Sequence, residues 1–289
     1  MKVLKEIQAL QMISDYHRVT FKTIGLVPTM GFLHEGHLAL IEKARLECDI
    51  VVVSIFVNPT QFLPHEDLDK YPRDFLRDFH LCKSAGVNYI FYPEPELMYP
   101  KDYFTFVNVE EISNRLEGQY RPGHFKGVST IVTKLFNIVK PHKAYFGQKD
   151  AQQAVIIKRL VEDLNIDTEV IVCDTVRETN GLAKSSRNSY LTEEEKQEAA
   201  VIYEALIEGK KMITDYKITD TESVKNVVTN YINRKSDKIK LQYLSITDNS
   251  KLTEINDLKK YKGDIIISLA AYMGNTRLID NVSFNYKYQ

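Results

Sequence analysis

The sequence has few cysteines: its 289 residues include only Cys48, Cys82 and Cys173, and these show no paired spacing. This scarcity argues against a disulfide framework or a zinc knuckle, and it fits a reducing cytoplasm. Long apolar runs are also lacking, because "IVVVSIFV" and "IIISLAAYM" fall well short of the ~20 residues that a membrane-spanning helix needs. The N-terminal "MKVLKEIQAL" carries Glu6 and Gln8 where a signal peptide would have an apolar core. We therefore expect a cytoplasmic protein with no membrane partner.

An excess of charge of one sign is lacking as well. The chain has 38 basic and 39 acidic residues, a net charge of −1, and its 27% charged and 44% hydrophobic residues are ordinary for a globular protein. A nucleic-acid partner is therefore not expected, and any site for an anion must be local. The length allows one large domain or two modest ones.

The order of apolar and amphipathic segments predicts the fold. Up to about residue 175, short apolar runs alternate with segments of helical period, which is typical of βαβ units on a parallel sheet. We predict an α/β protein with a Rossmann-like, doubly wound parallel sheet in residues 1–176 and a smaller α+β C-terminal domain in 177–289. Within these domains, "DYFTFVNV" is predicted to be a strand, and "EEEKQEAAVIYEALIEGKKMI" a single amphipathic helix.

Polar segments follow four of the predicted strands. They are, in chain order, "PTMGFLHEGH", "NPTQF", "GQKDAQQ" and "VRETNGLAKSSRN". In open α/β sheets, ligands bind beyond the carboxyl ends of the strands, where the strand order reverses. We therefore expect these segments to form a ligand site at that edge of the sheet.

The first polar segment has the features of an anion site. A glycine-containing turn before a helix presents free backbone N–H groups and the positive end of the helix dipole. His34 and His37 lie three residues apart at the helix start, so both can donate to one phosphate. The alternative is a hydrogen-bonded turn capped by a histidine. A zinc site is disfavoured, because "HEGH" is one residue short of HExxH and no third ligand is apparent.

The other segments supply cations and amides. Lys149 is a candidate phosphate contact, whereas Asp150 beside it can simply be a helix cap. "KSSRN" combines hydroxyls with cations, although such a loop can also be only a solvated linker. Gln61 and Gln153 carry amides suited to a substrate's hydroxyl and carboxylate groups, or they are surface glutamines. Neither GxxxxGK[ST] nor GxGxxG occurs, which disfavours a P-loop NTPase and a standard Rossmann dehydrogenase.

Taken together, the motifs resemble those of the pantothenate synthetase (pantoate–β-alanine ligase) family, which belongs to the HIGH-type nucleotidyltransferases. The family's order and approximate spacing recur over essentially the whole chain. The shared segments are "PTMGFLHEGH", "FVNPTQF", "YPRD", "RPGHFKGVSTIV", "AYFGQKDAQQ", "GLAKSSRN" and "NTRLIDN". Of these, "HEGH" is similar to the HIGH signature and "KSSRN" to the KMSKS-type loop.

The resemblance implies roles for individual residues. ATP would bind along the turn, the start of a later helix and the KMSKS-type loop, at Met30, Gly31, Phe32, Leu33, His34, Glu35, Gly36, His37, Gly147, Gln148, Lys149, Asp150, Val176, Lys184, Ser185, Ser186 and Arg187. The catalytic groups among them would be His37, His34, Lys149, Ser185 and Arg187. Pantoate and β-alanine would bind at Gln61, Gln153, Asn58 and Tyr71. Asp78 matches an acidic position linked to Mg²⁺, although Arg77 precedes it where the family often has a second acid.

The resemblance also implies the reaction. Pantoate and ATP would give pantoyl adenylate and pyrophosphate, and β-alanine would then give pantothenate and AMP. The family implies a homodimer, and the smaller domain would close as a lid over the hydrolysable adenylate. Two alternatives stay open: a nicotinate- or phosphopantetheine-type adenylyltransferase, and a catalytically silent nucleotide-binding module. Spacing alone does not settle the roles of Arg121, His124 and Lys126 in "YRPGHFKGV".

Overall fold

The computed structural model describes residues 1–63, 66, 68–259 and 261–287. The chain divides into two compact units, Met1–Gln148 with Ile156–Asp174 and Lys149–Val155 with Thr175–Gln289. This division groups Lys149–Val155 with the C-terminal segment, whereas the sequence analysis placed these residues in the first domain. Among the residues described, no helix is both long and apolar enough to cross a membrane.

The first unit is built on a parallel sheet. Its described strands are, in chain order, β1 (Lys2–Leu4), β2 (Ile24–Thr29), β3 (Ile50–Ile55), β4 (Tyr89–Phe91), β5 (Lys143–Gly147) and β6 (Glu169–Cys173). They lie in the order β1-β4-β3-β2-β5-β6, and every pair is parallel. The chain runs from β2 outward to β4 on one side and then returns to β5 on the other side of β2. The doubly wound, Rossmann-like sheet predicted from the sequence is confirmed.

Helices connect these strands, and most of the longer ones follow the alternation of segments that the sequence predicted. They are α1 (Ile7–Val19), α2 (Glu35–Glu47), α3 (Phe75–Ser84), the short α4 (Pro95–Met98) and α5 (Glu117–Tyr120), α6 (His124–Val139) and α7 (Ala151–Asp163). Central β2 and β3 are nearly continuous apolar runs because they are buried between helices. Helix α2 packs on this sheet through Ile41 and Ala44, both fully buried.

Two parts of the first unit differ from the prediction. "DYFTFVNV" forms no strand: the Val107 N–H donates to Thr130 Oγ1 at 3.0 Å, so a side chain of α6 provides a hydrogen bond that a neighbouring strand would supply. Helix α1 was not predicted. It buries Leu10 and Ser14 on one face and exposes Met12 and Tyr16 on the other.

The second unit packs helices against an antiparallel sheet. Its described elements are α8 (Glu193–Ala199), α9 (Val201–Thr214), α10 (Thr221–Lys235), β7 (Ile239–Asp248), β8 (Lys262–Met273) and β9 (Thr276–Lys287). The strands lie in the order β7-β8-β9, which confirms a smaller α+β domain. The stretch predicted as one helix is two, with the break at Ala200. Strand β9 was not predicted, and it follows β8 through a turn at Gly274, where φ is +56°.

Candidate active site

The turn that follows β2 is shaped by a glycine and by a hydroxyl group. The Thr29 side chain donates to the carbonyl of Ser54 at 2.7 Å and accepts from the N–H of Gly31 at 3.1 Å. Gly31 has a φ of +82°, and a Cβ at this position would come within 3.0 Å of Asp78 Oδ2 and of Ile55 Cγ2. Glycine is therefore required here both for the backbone conformation and for the close approach of neighbouring atoms.

A buried carboxylate fixes the next two residues of the turn. Asp78, on α3, is 1% exposed, and its two oxygens accept from the N–H groups of Phe32 and Leu33 at 2.7 and 2.8 Å. Burial raises the pKa of Asp78, while these two hydrogen bonds act in the opposite direction. Arg77 Nη1 lies 3.9 Å from Asp78 Oδ1. The described contacts of Asp78 therefore give it a part in shaping the turn.

His34 and His37 cap the N-terminus of α2 reciprocally. His34 Nδ1 accepts from the N–H of Gly36 at 3.1 Å, and His37 Nδ1 accepts from the N–H of His34 at 3.2 Å. Their ring centroids are 4.1 Å apart. Because an Nδ1 that accepts carries no proton, each neutral ring has its proton on Nε2. The arrangement is thus a histidine cap that also sets two Nε2–H donors side by side.

The expectation of free backbone N–H groups at this turn is wrong. Hydrogen bonds within the protein engage the N–H groups of five turn residues: Gly31, Phe32, Leu33, His34 and Gly36. The reason is that Thr29, Asp78 and the two histidines supply acceptors for them. An anion at this end of α2 would therefore interact with histidine side chains and the helix dipole rather than with those amides.

The segment after β3 carries a buried pair of amides. Asn58 caps the N-terminus of the short 3-10 helix Pro59–Gln61, and Gln61 is its last residue. The two residues are 1% and 9% exposed. Asn58 Nδ2 donates to Gln61 Oε1 and to the carbonyl of Gly127, each at 3.1 Å. Gln61 Nε2 lies 3.0 Å from the sulfur of Met30, in the segment 30–37 that carries the two histidines, hereafter the histidine turn. The structure thus brings Gln61 close to the turn, as expected for one site.

Tyr71 is buried too, at 6% exposure, with its ring edge-on to Phe62 at a centroid distance of 5.9 Å. The residues of "YRPGHFKGV" have distinct partners. Arg121 forms an ion pair with Glu66 at 2.6 Å, and Lys126 lies over the ring of Phe106 at 4.6 Å. His124 Nδ1 is hydrogen-bonded to the carbonyl of Gln61, in the segment 58–61, hereafter the amide segment.

In the second unit, Lys149 stands at the start of the α7 region. Its side chain is 20% exposed, and Nζ lies 3.4 Å from Asp150 Oδ1. The carbonyl of Lys149 accepts from Asn281 Nδ2 at 3.0 Å. A strand near the C-terminus therefore fixes the backbone from which this cation projects. Gln153, one turn along α7, is half-buried.

The KMSKS-like loop is folded back on itself as a hairpin. The N–H of Lys184 donates to the carbonyl of Val176 at 2.9 Å, and Gly181 at the bend has a φ of +98°. Ser185 then caps the 3-10 helix Ser186–Tyr190, because its Oγ accepts from the N–H of Arg187 at 3.3 Å. The hairpin places the two serines and Arg187 directly after its end.

A buried ion pair holds the base of this hairpin. The guanidinium of Arg177 donates to both oxygens of Asp280 at 2.7 and 3.0 Å and stacks 3.6 Å above the centroid of the Tyr203 ring. The Asp280 side chain is 4% exposed and that of Arg177 15%. Burial raises the pKa of Asp280, and the hydrogen bonds and charge of Arg177 oppose that rise.

The predicted site residues divide between the two units. The first unit holds those on the histidine turn, near the amide pair and at the end of β5: Met30, Gly31, Phe32, Leu33, His34, Glu35, Gly36, His37, Asn58, Gln61, Tyr71, Asp78, Gly147 and Gln148. The second unit holds those of the α7 start and the hairpin loop: Lys149, Asp150, Gln153, Val176, Lys184, Ser185, Ser186 and Arg187. Their assignments to ATP and pantoate stay predictions. Over the described part of the chain, no group of three or more His, Cys, Asp or Glu side chains is arranged to hold a metal ion.

Sequence reasoning missed the residues that support these side chains. Arg177 was only part of a polar connector, and Asp280 and Asn281 were quoted in "NTRLIDN" without a role. The sequence did contain one sign of these supporting residues. Asp280 and Asn281 are two polar residues within a segment whose other residues favour a β-strand. Buried polar groups need partners, so these two residues had to meet polar groups from elsewhere in the fold.

Known proteins resemble the whole chain. A family model described as pantoate-beta-alanine ligase matches residues 2–283. A pantothenate synthetase from Thermotoga petrophila is 50% identical over 281 residues, 97% of this chain and 99% of that protein. The solved pantothenate synthetase of Thermus thermophilus has a TM-score of 0.90 at 40% identity, covering 98% of this chain and 99% of that one. A pantoate-beta-alanine ligase from Francisella tularensis, solved with beta-gamma ATP and β-alanine, has a TM-score of 0.79 at 39% identity, covering 98% and 97%. These matches confirm the resemblance drawn from the motifs, and the chain belongs to the pantoate–β-alanine ligase family.

Proposed function

We propose that the protein condenses (R)-pantoate with β-alanine at the expense of ATP, giving pantothenate, AMP and pyrophosphate through a pantoyl adenylate. The observation that carries this proposal is the family match over residues 2–283. The Francisella tularensis structure, which holds beta-gamma ATP and β-alanine, supports the choice of substrates. The product would serve as a precursor for coenzyme A.

The first half-reaction needs no general base. A carboxylate oxygen of pantoate attacks the α-phosphorus of ATP, the bond from that phosphorus to the bridging oxygen breaks, and pyrophosphate leaves. Since the carboxylate is already charged at neutral pH, catalysis consists of in-line positioning and of stabilising the charge that grows on the phosphates. The Nε2–H groups of His34 and His37 are donors of this kind, preoriented by the reciprocal cap.

The remaining cations and hydroxyls belong to the second unit. In this proposal Lys149, Ser185 and Arg187 bind the phosphates, Asp150 contacts the ribose, and Val176 contacts the adenine. In the second half-reaction the amine nitrogen of β-alanine attacks the acyl carbon. The bond from that carbon to the AMP oxygen breaks, the nitrogen loses a proton, and an amide forms.

Pantoate is proposed to bind at Gln61 and Gln153, with Asn58 and Tyr71 in the pocket wall. The hydrogen bond from Asn58 Nδ2 to Gln61 Oε1 supports the assignment for Gln61, because it fixes which face of the amide carries the N–H donors. Asn58 is in turn tied to the carbonyl of Gly127, so the amide is preorganised on a rigid helix.

Magnesium enters this scheme with the nucleotide. Among the described side chains there is no cluster suited to a metal, and both oxygens of Asp78 already accept backbone N–H groups. Mg²⁺ commonly keeps several waters and binds chiefly to substrate phosphates. We therefore treat MgATP as the substrate and route no step through an Asp78-bound ion.

Three further statements belong to the proposal. The smaller domain, 177–289, acts as a lid over the adenylate. To test this, the preformed adenylate is mixed with hydroxylamine, and the rate at which hydroxylamine traps it is measured. The protein is a homodimer, which light scattering would test by its mass. It acts in the cytoplasm, which its three free cysteines support and cell fractionation would test.

The activity itself is tested by product analysis. Pyrophosphate and AMP should appear when ATP, pantoate and β-alanine are supplied together, with an amide as the organic product. A stable dinucleotide-like product without amide formation would instead indicate an adenylyltransferase of the wider superfamily. Absence of turnover with every substrate pair would indicate a silent nucleotide-binding module.

A further inference from the structure

The backbone carbonyl of Gln61 is held by a histidine that the proposed mechanism does not use. His124 is the first residue of α6, and its Nδ1 lies 2.8 Å from Gln61 O, although 63 positions separate the two residues. A carbonyl oxygen can only accept, so Nδ1 carries the proton and donates it. This contact fixes the backbone from which the Gln61 amide projects.

The other nitrogen of the same ring faces a guanidinium. Arg121 Nη1 lies 3.1 Å from His124 Nε2, and a guanidinium can only donate, so Nε2 is the acceptor. Arg121 is itself fixed by Glu66, whose two oxygens accept from Nε and Nη2 at 2.6 and 2.8 Å. The ring is therefore a neutral imidazole in a single tautomer, with Nδ1–H toward Gln61 and an unprotonated Nε2 toward Arg121.

Burial of the ring and the charge of Arg121 favour this neutral form. Burial and the neighbouring Arg121 lower the pKa of His124 to about 4, while Glu66 and Glu117 act in the opposite direction. Burial alone would raise the pKa of Glu66, but the hydrogen bonds and charge of Arg121 outweigh it, and that pKa is lowered. A second proton on His124 would place an N–H against a guanidinium that has no lone pair to offer.

Helix α6 touches the amide segment closely, so a shift of one moves the other. A Cβ on Gly127 would lie 2.3 Å from the carbonyl oxygen of Thr60 and 2.8 Å from the nitrogen of Gln61. Asn58 also donates to the Gly127 carbonyl from the same segment. The His124 contact is thus one of three restraints that seat the segment on the first turn of α6.

We propose that His124 is a positioning residue of the pantoate site: its Nδ1–H donates to the Gln61 carbonyl and holds the Gln61 amide in the orientation that binds pantoate. The inference rests on the proposed contact between Gln61 and pantoate. It assigns His124 no contact with substrate and no proton transfer. Arg121, held by Glu66, selects the tautomer and also donates from Nη2 to the Gln61 carbonyl at 3.4 Å, a longer contact than that of His124.

The test compares variants that keep or remove one nitrogen. In H124N the Asn Nδ2 takes the place of the histidine Nδ1, so the donor to Gln61 is kept. In H124Q the amide lies at the position of Nε2, and in H124A both groups are lost. We expect H124Q and H124A to raise the KM for pantoate about tenfold, because the Gln61 carbonyl then loses its 2.8 Å hydrogen bond and keeps only the 3.4 Å contact from Arg121 Nη2. We expect H124N to stay within about twofold.

Matched measurements separate positioning from folding. The dissociation constant of MgATP without pantoate should be unchanged in all three variants. H80N, at an exposed histidine of α3, should behave as wild type. An unchanged pantoate KM in H124A, or an H124N as defective as H124Q, overturns the inference. Gln61→Ala tells the two proposals apart. If it leaves the pantoate KM unchanged, both fail; if it raises that KM while H124Q does not, only the role of His124 fails.

The tautomer can be observed directly in the unmodified protein. ¹⁵N NMR of histidine-labelled protein should show His124 protonated on Nδ1 alone, also at mildly acidic pH where an ordinary histidine with a pKa of ~6.5 is charged. A ring protonated on Nε2 overturns the inference. Between the ordinary pKa of histidine and about 4, His124 is protonated in the unfolded chain but not in the folded one. The free energy of unfolding therefore falls as the pH falls through that range. H124N should reduce this pH dependence.

Discussion

Asn281 of β9 donates from Nδ2 to the backbone carbonyl of Lys149 at 3.0 Å, although the two residues are 132 positions apart. Its own carbonyl lies 3.4 Å from Nη2 of Arg177, at the base of the hairpin loop. Asn281 is only 4% exposed. One strand residue therefore contacts both segments that carry the proposed phosphate-binding cations, through the backbone of Lys149 and the side chain of Arg177.

Replacing Asn281 should impair the first half-reaction. Asn281→Ala removes a part-buried hydrogen bond to the Lys149 carbonyl, and we expect the rate of ATP–pyrophosphate exchange to fall about tenfold because the backbone that carries the Lys149 cation is then less well held. Asn285→Ala is the matched control, since it lies on the same strand and donates to the carboxylate of Asp264 at 2.9 Å in an exposed hydrogen bond. Equal exchange rates in the two variants would show that Asn281 has no such role.

The ion pair of Arg177 and Asp280 should be a major contribution to the stability of the second unit. Asp280→Ala leaves a nearly buried guanidinium without its carboxylate, which typically lowers the free energy of unfolding by ~3–5 kcal/mol. Replacing both partners by Met and Leu should recover part of that loss, because no buried charge then remains. Urea unfolding measures these differences.

The control for this pair is an exposed one in the same unit. Lys211 and Glu208 lie 2.7 Å apart with side chains 46% and 36% exposed, so Glu208→Ala should change the free energy of unfolding little. If Asp280→Ala cost no more than Glu208→Ala, the buried pair would not be a stabilising contact of the hairpin.

Two roles of Asp78 can be distinguished by experiment: shaping the turn before α2 and binding Mg²⁺. Asp78→Asn places an N–H or a neutral oxygen against the N–H groups of Phe32 and Leu33, so we expect a loss of ~1–3 kcal/mol in stability and a higher KM for MgATP. Both effects should be the same at low and high Mg²⁺. A variant whose activity is restored by raising Mg²⁺ alone would instead support the metal role suggested by the family resemblance.

The sequence predicted the fold better than the site, and these residues show why. Hydrophobic period is a local property, so β2, β3 and α6 could be predicted from their own residues. Asp78 meets Leu33 across 45 positions and His124 meets Gln61 across 63, and no local pattern encodes such pairs. The motifs identified the family, but the partners of each side chain became visible only in the folded chain.

Where local pattern failed, a tertiary contact decided the outcome. "DYFTFVNV" has the composition of a strand, yet Thr130 of α6 accepts the N–H of Val107. The glycine turn before α2 has the composition of an amide-lined anion site, yet Asp78 on a different helix accepts two of its N–H groups. In both cases a polar side chain from another element accepts the hydrogen bond of a backbone N–H that the local pattern assigned to a different partner.

Lys184 is the first residue of "KSSRN", and its ammonium lies 3.9 Å from Glu178 Oε1. If this cation assists the capture of ATP, Lys184→Met should raise the KM for ATP several-fold, more so at low ionic strength where charge interactions are least screened. Glu178→Gln should have the opposite effect, because the carboxylate competes with phosphate for the same ammonium. An ATP KM that neither variant changes at any salt concentration would exclude a role for Lys184 in binding.

The order of the two half-reactions can be tested without the amine. If pantoyl adenylate forms first, labelled pyrophosphate should exchange into ATP in the presence of pantoate and Mg²⁺ alone. In the proposed mechanism His37, oriented by its hydrogen bond to the N–H of His34, donates from Nε2 to the phosphates, a contribution typically worth ~10²–10³ in rate. His37→Ala should therefore reduce exchange and overall synthesis by the same factor, and Lys149→Ala should do likewise. A substitution that impairs only the binding of β-alanine would leave the rate of ATP–pyrophosphate exchange unchanged. Exchange that requires β-alanine would mean that the three substrates react in one concerted step, because no adenylate would then exist before the amine arrives.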